Sequence, residues 1–124
     1  MNIVRMEDQQ PETLHEFYRK LGENSSEQYR IFAGKMLQLL DLLDEDDSSL
    51  QVRALTSHQN LNLGRVDGTG RITVTAWDRH YQIEYYLSPE QAPWQDARVV
   101  GTTSDPEEAY RMIVTALADD LGFA

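Results

Sequence analysis

The sequence predicts an α+β domain over residues 1–124, with an N-terminal helical hairpin, an antiparallel sheet of four to five strands and a C-terminal helix. Three observations lead there. Apolar residues recur at helical spacing from Leu14 to Leu43 and again from Ala109 to Leu117. Between Leu50 and Thr103 the period drops to two. Short turns string those strands in series, which implies an antiparallel meander whose one face must cover the helices' apolar stripes. The expected order is α-α-β-β-β-β-β-α, with the helices chiefly on one side.

The first helix starts from Pro11, with Leu14, Phe17, Tyr18 and Leu21 at i, i+3, i+4, i+7. Pro11 suits a first turn, and Gly22 can supply a left-handed stop. Ser25 and Gln28 form a candidate capping box for the second helix. Its stripe is Tyr29, Phe32, Ala33, Met36, Leu40 and Leu43, widened by Leu37, Leu39 and Leu42, so cover on more than one side is expected. Gly34 inside it suggests a close backbone approach. Val52, Ala54 and Thr56 alternate with Arg53, Leu55 and Ser57 in a first strand. Leu61 and Leu63 mark a second, interrupted by Gly64. Asp67-Gly68-Thr69-Gly70 is a turn signal because glycine readily takes positive φ. RITVTAW and HYQIEYYL follow, separated by Asp78-Arg79. ARVVGTT leads into the last helix, capped by Ser104 or Asp105, with Pro106 in its first turn and Glu107 and Glu108 opposing the dipole. Ala109, Met112, Ile113, Ala116 and Leu117 are its buried stripe, and Gly122 can end it.

A two-residue turn at Asp78-Arg79 sets Trp77 opposite His80, Ala76 opposite Tyr81, Val74 opposite Ile83 and Ile72 opposite Tyr85. One face then holds Ile72, Val74, Ala76, Tyr81, Ile83 and Tyr85. The other holds Arg71, Thr73, Thr75, Trp77, His80, Gln82, Glu84 and Tyr86. A slip by one residue would mix the two sets, so the clean partition supports the register. Asp-Arg is not a preferred type I′ pair, which leaves a longer loop open. A loop at 67–70 sets Leu63 against Val74, Leu61 against Ala76 and Arg65 against Ile72, with Gly64 marking a bulge.

Composition bounds the function. Twenty-one acidic against eleven basic residues give a net charge of −10. That field repels phosphate backbones and attracts basic partners; it also simply aids solubility. Cysteine is absent, which removes disulfides, thiolate metal sites and a cysteine nucleophile. No apolar run approaches the ~20 residues of a membrane span. MNIVRMEDQQPE turns acidic too soon for a signal peptide, so a cytoplasmic location is expected.

Few residues are arranged for chemistry. His15, His58 and His80 fall on different elements, and Asp78 with His80 is too small a ligand set for a metal. His80 and Glu84 share a predicted face, yet an ideal strand holds them about 13 Å apart. No nucleophile elbow, Walker loop or dinucleotide fingerprint occurs, and the glycines of GRVDGTGR precede no helix. Binding is therefore the expected role, with no cofactor. The candidate contacts are Trp77, His80, Gln82, Glu84 and Tyr86 on the polar hairpin face, aromatics being favoured at binding hot spots. Trp77 has an alternative, burial under the loop at Ala92–Trp94. Asp44, Glu45, Asp46 and Asp47 form a second patch at a helix C-terminus, where negative charge is locally unfavourable; they are either a solvated helix end or a landing site for lysines and arginines.

The segment DRHYQIEYYLSPEQAPWQDARVVGTTSDPEEAYRMIVTAL, a polar-aromatic hairpin followed by an APW loop, a strand and a capped helix, resembles small bacterial immunity proteins encoded beside polymorphic or contact-dependent toxins. The resemblance spans roughly residues 60–120 and implies no site residue. It implies tight binding to a cognate toxin domain, often a basic nuclease, that neutralises it by occlusion. The alternatives are a non-catalytic adaptor or oligomerisation module, and a small hydrolase using His80 and a carboxylate.

Overall fold

The computed structural model describes residues 1–24, 26–66 and 70–118. Its elements are β1 (Asn2–Arg5), α1 (Leu14–Leu21), α2 (Glu27–Glu45), β2 (Gln51–Ser57), β3 (Asn60–Arg65), β4 (Ile72–Thr75), β5 (Tyr81–Tyr86), β6 (Arg98–Thr103) and α3 (Pro106–Leu117), with short 3-10 turns at Glu7–Gln9 and Trp77–Arg79. The α+β class and the order helix, helix, strands, helix hold. The sheet has six strands in the order β1-β2-β3-β4-β5-β6, one more than the largest number expected.

The extra strand is β1, which pairs parallel to β2 with Ile3 beside Val52 and Arg5 beside Ala54. Arg5 points to the helix side and is nearly buried. Its guanidinium donates to the carbonyls of Glu12 and Thr13 and to the Thr56 hydroxyl, and lies 5.3 Å from the Phe17 ring centre. Four residues containing an arginine carry little strand signal, and their partners lie far along the chain. Gln9 prolongs this edge with its side chain: its amide donates to the Thr56 carbonyl at 2.8 Å and accepts from the Thr56 N–H at 2.9 Å.

Local sequence chemistry explains the helix ends, with three corrections. Thr13 caps α1 by accepting from the Glu16 N–H, so Pro11 lies before the helix. Gly22 is right-handed at φ −68°, and the chain leaves α1 without a left-handed residue. Gly34 has open space around its Cα and admits no neighbouring backbone. Ser26 precedes α2 without a side-chain cap bond, and the expected capping residue Ser25 lies outside the described residues, as does Gly122. Asp105 caps α3 by accepting from the Glu107 N–H at 3.1 Å, with Pro106 at the first helical position.

The core lies between the helices and one sheet face. Phe32, Met36, Leu39, Leu40 and Leu43 of α2 and Ile113 and Leu117 of α3 meet Val52, Leu61, Leu63, Ile72, Val74, Tyr81 and Ile83 of the strands. Two tyrosines bring hydroxyls into this layer and satisfy them on backbone carbonyls: Tyr18 on Gln59 at 2.8 Å and Tyr81 on Lys35 at 2.6 Å. Burial, with a smaller push from Asp105, raises the Tyr81 phenol to about 12.

The β4–β5 register is the expected one, with Ile72 opposite Tyr85 and Val74 opposite Ile83. Asp78 and Arg79 form the two-residue turn, at φ 52° and 64°, closed by His80 N–H donating to the Trp77 carbonyl at 3.0 Å. A second turn of this kind, at His58 and Gln59 with φ 51° and 71°, joins β2 to β3. Both use non-glycine residues in the left-handed region, at a local cost that the flanking ladders offset. The β3–β4 register differs by two residues: Leu61 faces Val74 and Leu63 faces Ile72. A two-residue shift leaves the apolar face intact. It removes the expected pairing of Arg65 with Ile72, since Leu63 takes the place opposite Ile72. Gly70 does take positive φ, at 70°, while Asp67, Gly68 and Thr69 lie outside the described residues.

Candidate partner-binding surfaces

The sheet face turned away from the helices carries Thr73, Thr75, Gln82, Glu84 and Tyr86, all partly exposed. Glu84 organises it. Its carboxylate accepts from Gln82 Nε2 at 2.7 Å and from the Tyr86 hydroxyl at 3.3 Å, and pairs with Arg98 Nε at 3.3 Å. Arg71 and Arg98 lie 4.4 and 5.9 Å from the Tyr86 ring centre. Three of the five expected hairpin contacts, Gln82, Glu84 and Tyr86, are thus brought together, with Glu84 neutralised by Arg98.

The other two go elsewhere. Trp77 leaves the polar face: its ring packs edge-on to Phe32 at 4.9 Å and Tyr29 at 5.7 Å, both on α2. Ala76, at φ −141°, ψ 54°, departs from extended strand geometry just before Trp77, and the alternation is lost there. The loop at Ala92–Trp94 does not cover Trp77, since Trp94 is 72 % exposed and α2 supplies the cover. His80 stands exposed at the turn with Nδ1 2.7 Å from the Asp78 carbonyl. It has no hydrogen bond to Glu84, whose oxygens meet Gln82, Tyr86 and Arg98, so the acid–base pair is not assembled.

The acidic run divides in two. Asp46 is an internal clamp, its side chain 7 % exposed. Its carboxylate accepts from the Ser48 N–H at 2.9 Å, the Tyr110 hydroxyl of α3 and the Met1 ammonium. Ser48 and Tyr110 hold the Asp46 carboxyl well below the usual carboxylate range, and the same bond raises the Tyr110 phenol. This residue joins α2 to α3 and is not presented to a partner. Asp44, Glu45 and Asp47 are exposed. Asp44 and Asp41 flank His15, at 3.5 and 3.0 Å from its Nε2. Among the described residues no group of three or more His, Cys, Asp or Glu side chains is placed to hold a metal, and no helix is long and apolar enough to cross a membrane.

A surface that the sequence reading passed over lies at the free edge of the sheet. Among the described residues β6 pairs with β5 alone, antiparallel, and its other side is open. Val99 is 57 % exposed and Val100 49 % exposed, on opposite faces of the strand, and Trp94 stands just ahead of it. Behind Val99 an apolar groove of about 410 Å³ runs between β5–β6 and α3, lined by Tyr85, Leu87, Val99, Met112 and Ala116. Met112 reaches this groove because residue 101 is glycine: a Cβ there would stand 2.0 Å from the methionine Cε. The signal was present in ARVVGTT, where adjacent valines break the alternation expected of a strand with one solvated face. No protein-family model, no curated protein and no solved structure matches this chain.

Proposed function

We propose that the chain is an immunity-type protein that binds and neutralises a cognate bacterial toxin domain of basic character by occlusion. The observation that carries this reading is the free β6 edge, where Trp94, Val99 and Val100 place the three most exposed large apolar side chains of the described residues within seven positions. An open edge offers backbone N–H and C=O groups to a partner strand, and apolar side chains on both faces anchor it. Carboxylates supply the approach. Glu84 is the one acidic residue within the six strands, whereas α2 and its C-terminal run alone carry Glu27, Asp41, Asp44, Glu45, Asp46 and Asp47. Such a field accelerates encounter with a basic surface, and desolvated apolar contacts slow release.

The test is growth rescue. The C-terminal domain encoded by the neighbouring reading frame is expressed with this chain or with a Trp94→Ser/Val99→Lys variant. Rescue by the wild type and its loss in the variant, with unchanged thermal stability, are expected. Full rescue by the variant, or a neighbouring product that does not inhibit growth, sinks the reading. The same edge favours one second reading, self-association through β6. Sedimentation as a strict monomer at high concentration excludes it.

A further inference from the structure

The open sheet face holds another surface, opposite in charge to the rest of the molecule. A row crosses its end from strand to strand. Val4 lies beside Arg53 and Arg53 beside Gly64. Arg71 follows, its carbonyl accepting from the Tyr86 N–H at 3.0 Å, and Tyr86 lies beside Arg98. Arg98 is neutralised by Glu84. Arg53 and Arg71 are exposed and form no ion pair among the described residues. Gly64 sits between them without a side chain. The result is a hollow of about 460 Å³ whose walls include Arg53, Leu55, Asn62, Gly64, Arg65 and Arg71. Asn62 is held by its carbonyl oxygen, which accepts from the Thr73 hydroxyl at 2.7 Å and leaves the amide nitrogen to donate.

We propose that this hollow binds a phosphate oxyanion, free or as the monoester end of a small molecule. Guanidinium groups on β2 and at the start of β4, on either side of β3, offer planar forks of N–H donors that match phosphate oxygens, and their charges balance a dianion. Asn62 adds a neutral donor, and Leu55 gives an apolar wall for the body of an ester. Size follows from the electrostatics. With a screening length of about 8 Å at physiological salt, a small anion in the hollow meets Arg53, Arg65 and Arg71 in its walls, while Glu7 and Asp8 line the adjoining hollow that shares Arg53. A long polyanion would extend over a molecule of net charge −10 and be repelled. This site is independent of the β6 edge and of the toxin-binding reading.

Amide-resolved NMR titration of the full chain with inorganic phosphate and with AMP tests it. Saturable shifts are expected at Arg53, Asn62, Gly64 and Arg71. Tighter AMP binding assigns a monoester, and equal affinity assigns free phosphate. Arg53→Gln removes a side chain that forms no ion pair among the described residues and should weaken binding roughly tenfold or more. Gly64→Val should fill the hollow and abolish it. Shifts that fail to saturate, affinity unchanged in Arg53→Gln, or an oligonucleotide that outcompetes AMP would overturn the proposal.

Discussion

Trp77→Ala separates a packing role from a binding role for the residue that the fold moved furthest from its expected place. Trp77 is 36 % exposed, with its covered part seated on Phe32 and Tyr29. A tryptophan can bury up to ~250 Å², so roughly 150 Å² is withdrawn from water here. At ~25 cal/mol per Å² that is about 4 kcal/mol, an upper bound because the unfolded chain already hides some of this area. The site lies at the surface, where water fills the vacancy and no closed cavity remains, so a loss of about 2–3 kcal/mol is expected. In a chain of this length that lowers Tm by roughly 8–12 °C. Thermal and urea unfolding followed by far-ultraviolet circular dichroism measure it without relying on the indole. Trp77→Phe, which keeps an aromatic edge against α2, should recover more than half of the loss. If Trp77→Ala moves Tm by less than ~2 °C while weakening the partner complex, the packing argument fails and the residue is a contact.

Two further perturbations test the tertiary clamps. The Asp46 carboxyl titrates below its ordinary value in the folded state, so it contributes stability at pH above the unfolded carboxylate value, near 4. That contribution is lost as pH falls toward the folded value. Asp46→Asn should therefore be less stable than the wild type at pH 6, with the difference shrinking toward pH 2.5 in urea titrations; parallel curves would remove Asp46 from the acid response. At the β4–β5 turn, Asp78→Asn with Arg79→Gly installs residues that take positive φ readily. It should raise stability by about 1 kcal/mol, read as a higher urea midpoint at unchanged m. A lower midpoint would mean that the native turn side chains make contacts worth more than the backbone relief.

What could be read along the chain was whatever depended on neighbours in sequence. The stripe of α2, a cap for α3 at Ser104 or Asp105 and the two faces of the β4–β5 hairpin are set within a few residues by helical or strand period, by capping chemistry and by a two-residue turn. So was the grouping of Gln82, Glu84 and Tyr86, because alternate residues on one strand must share a face. The β3–β4 register escaped because a two-residue shift preserves the apolar face, so patterning cannot choose between the two pairings.

The amino-acid sequence by itself determined the α+β class, the element order, the core face of the hairpin and the excess of negative charge. Tertiary structure decided where that chemistry is exposed. It added β1 through a parallel pairing with residues 49 positions away, and drew Asp46 inward through Tyr110, 64 positions away. It turned Trp77 onto α2, left β6 as a free edge, and aligned Arg53, Gly64 and Arg71 across three segments of the sheet. Period and propensity act over a few residues, whereas strand order, edges and cross-strand rows exist only once distant segments have paired.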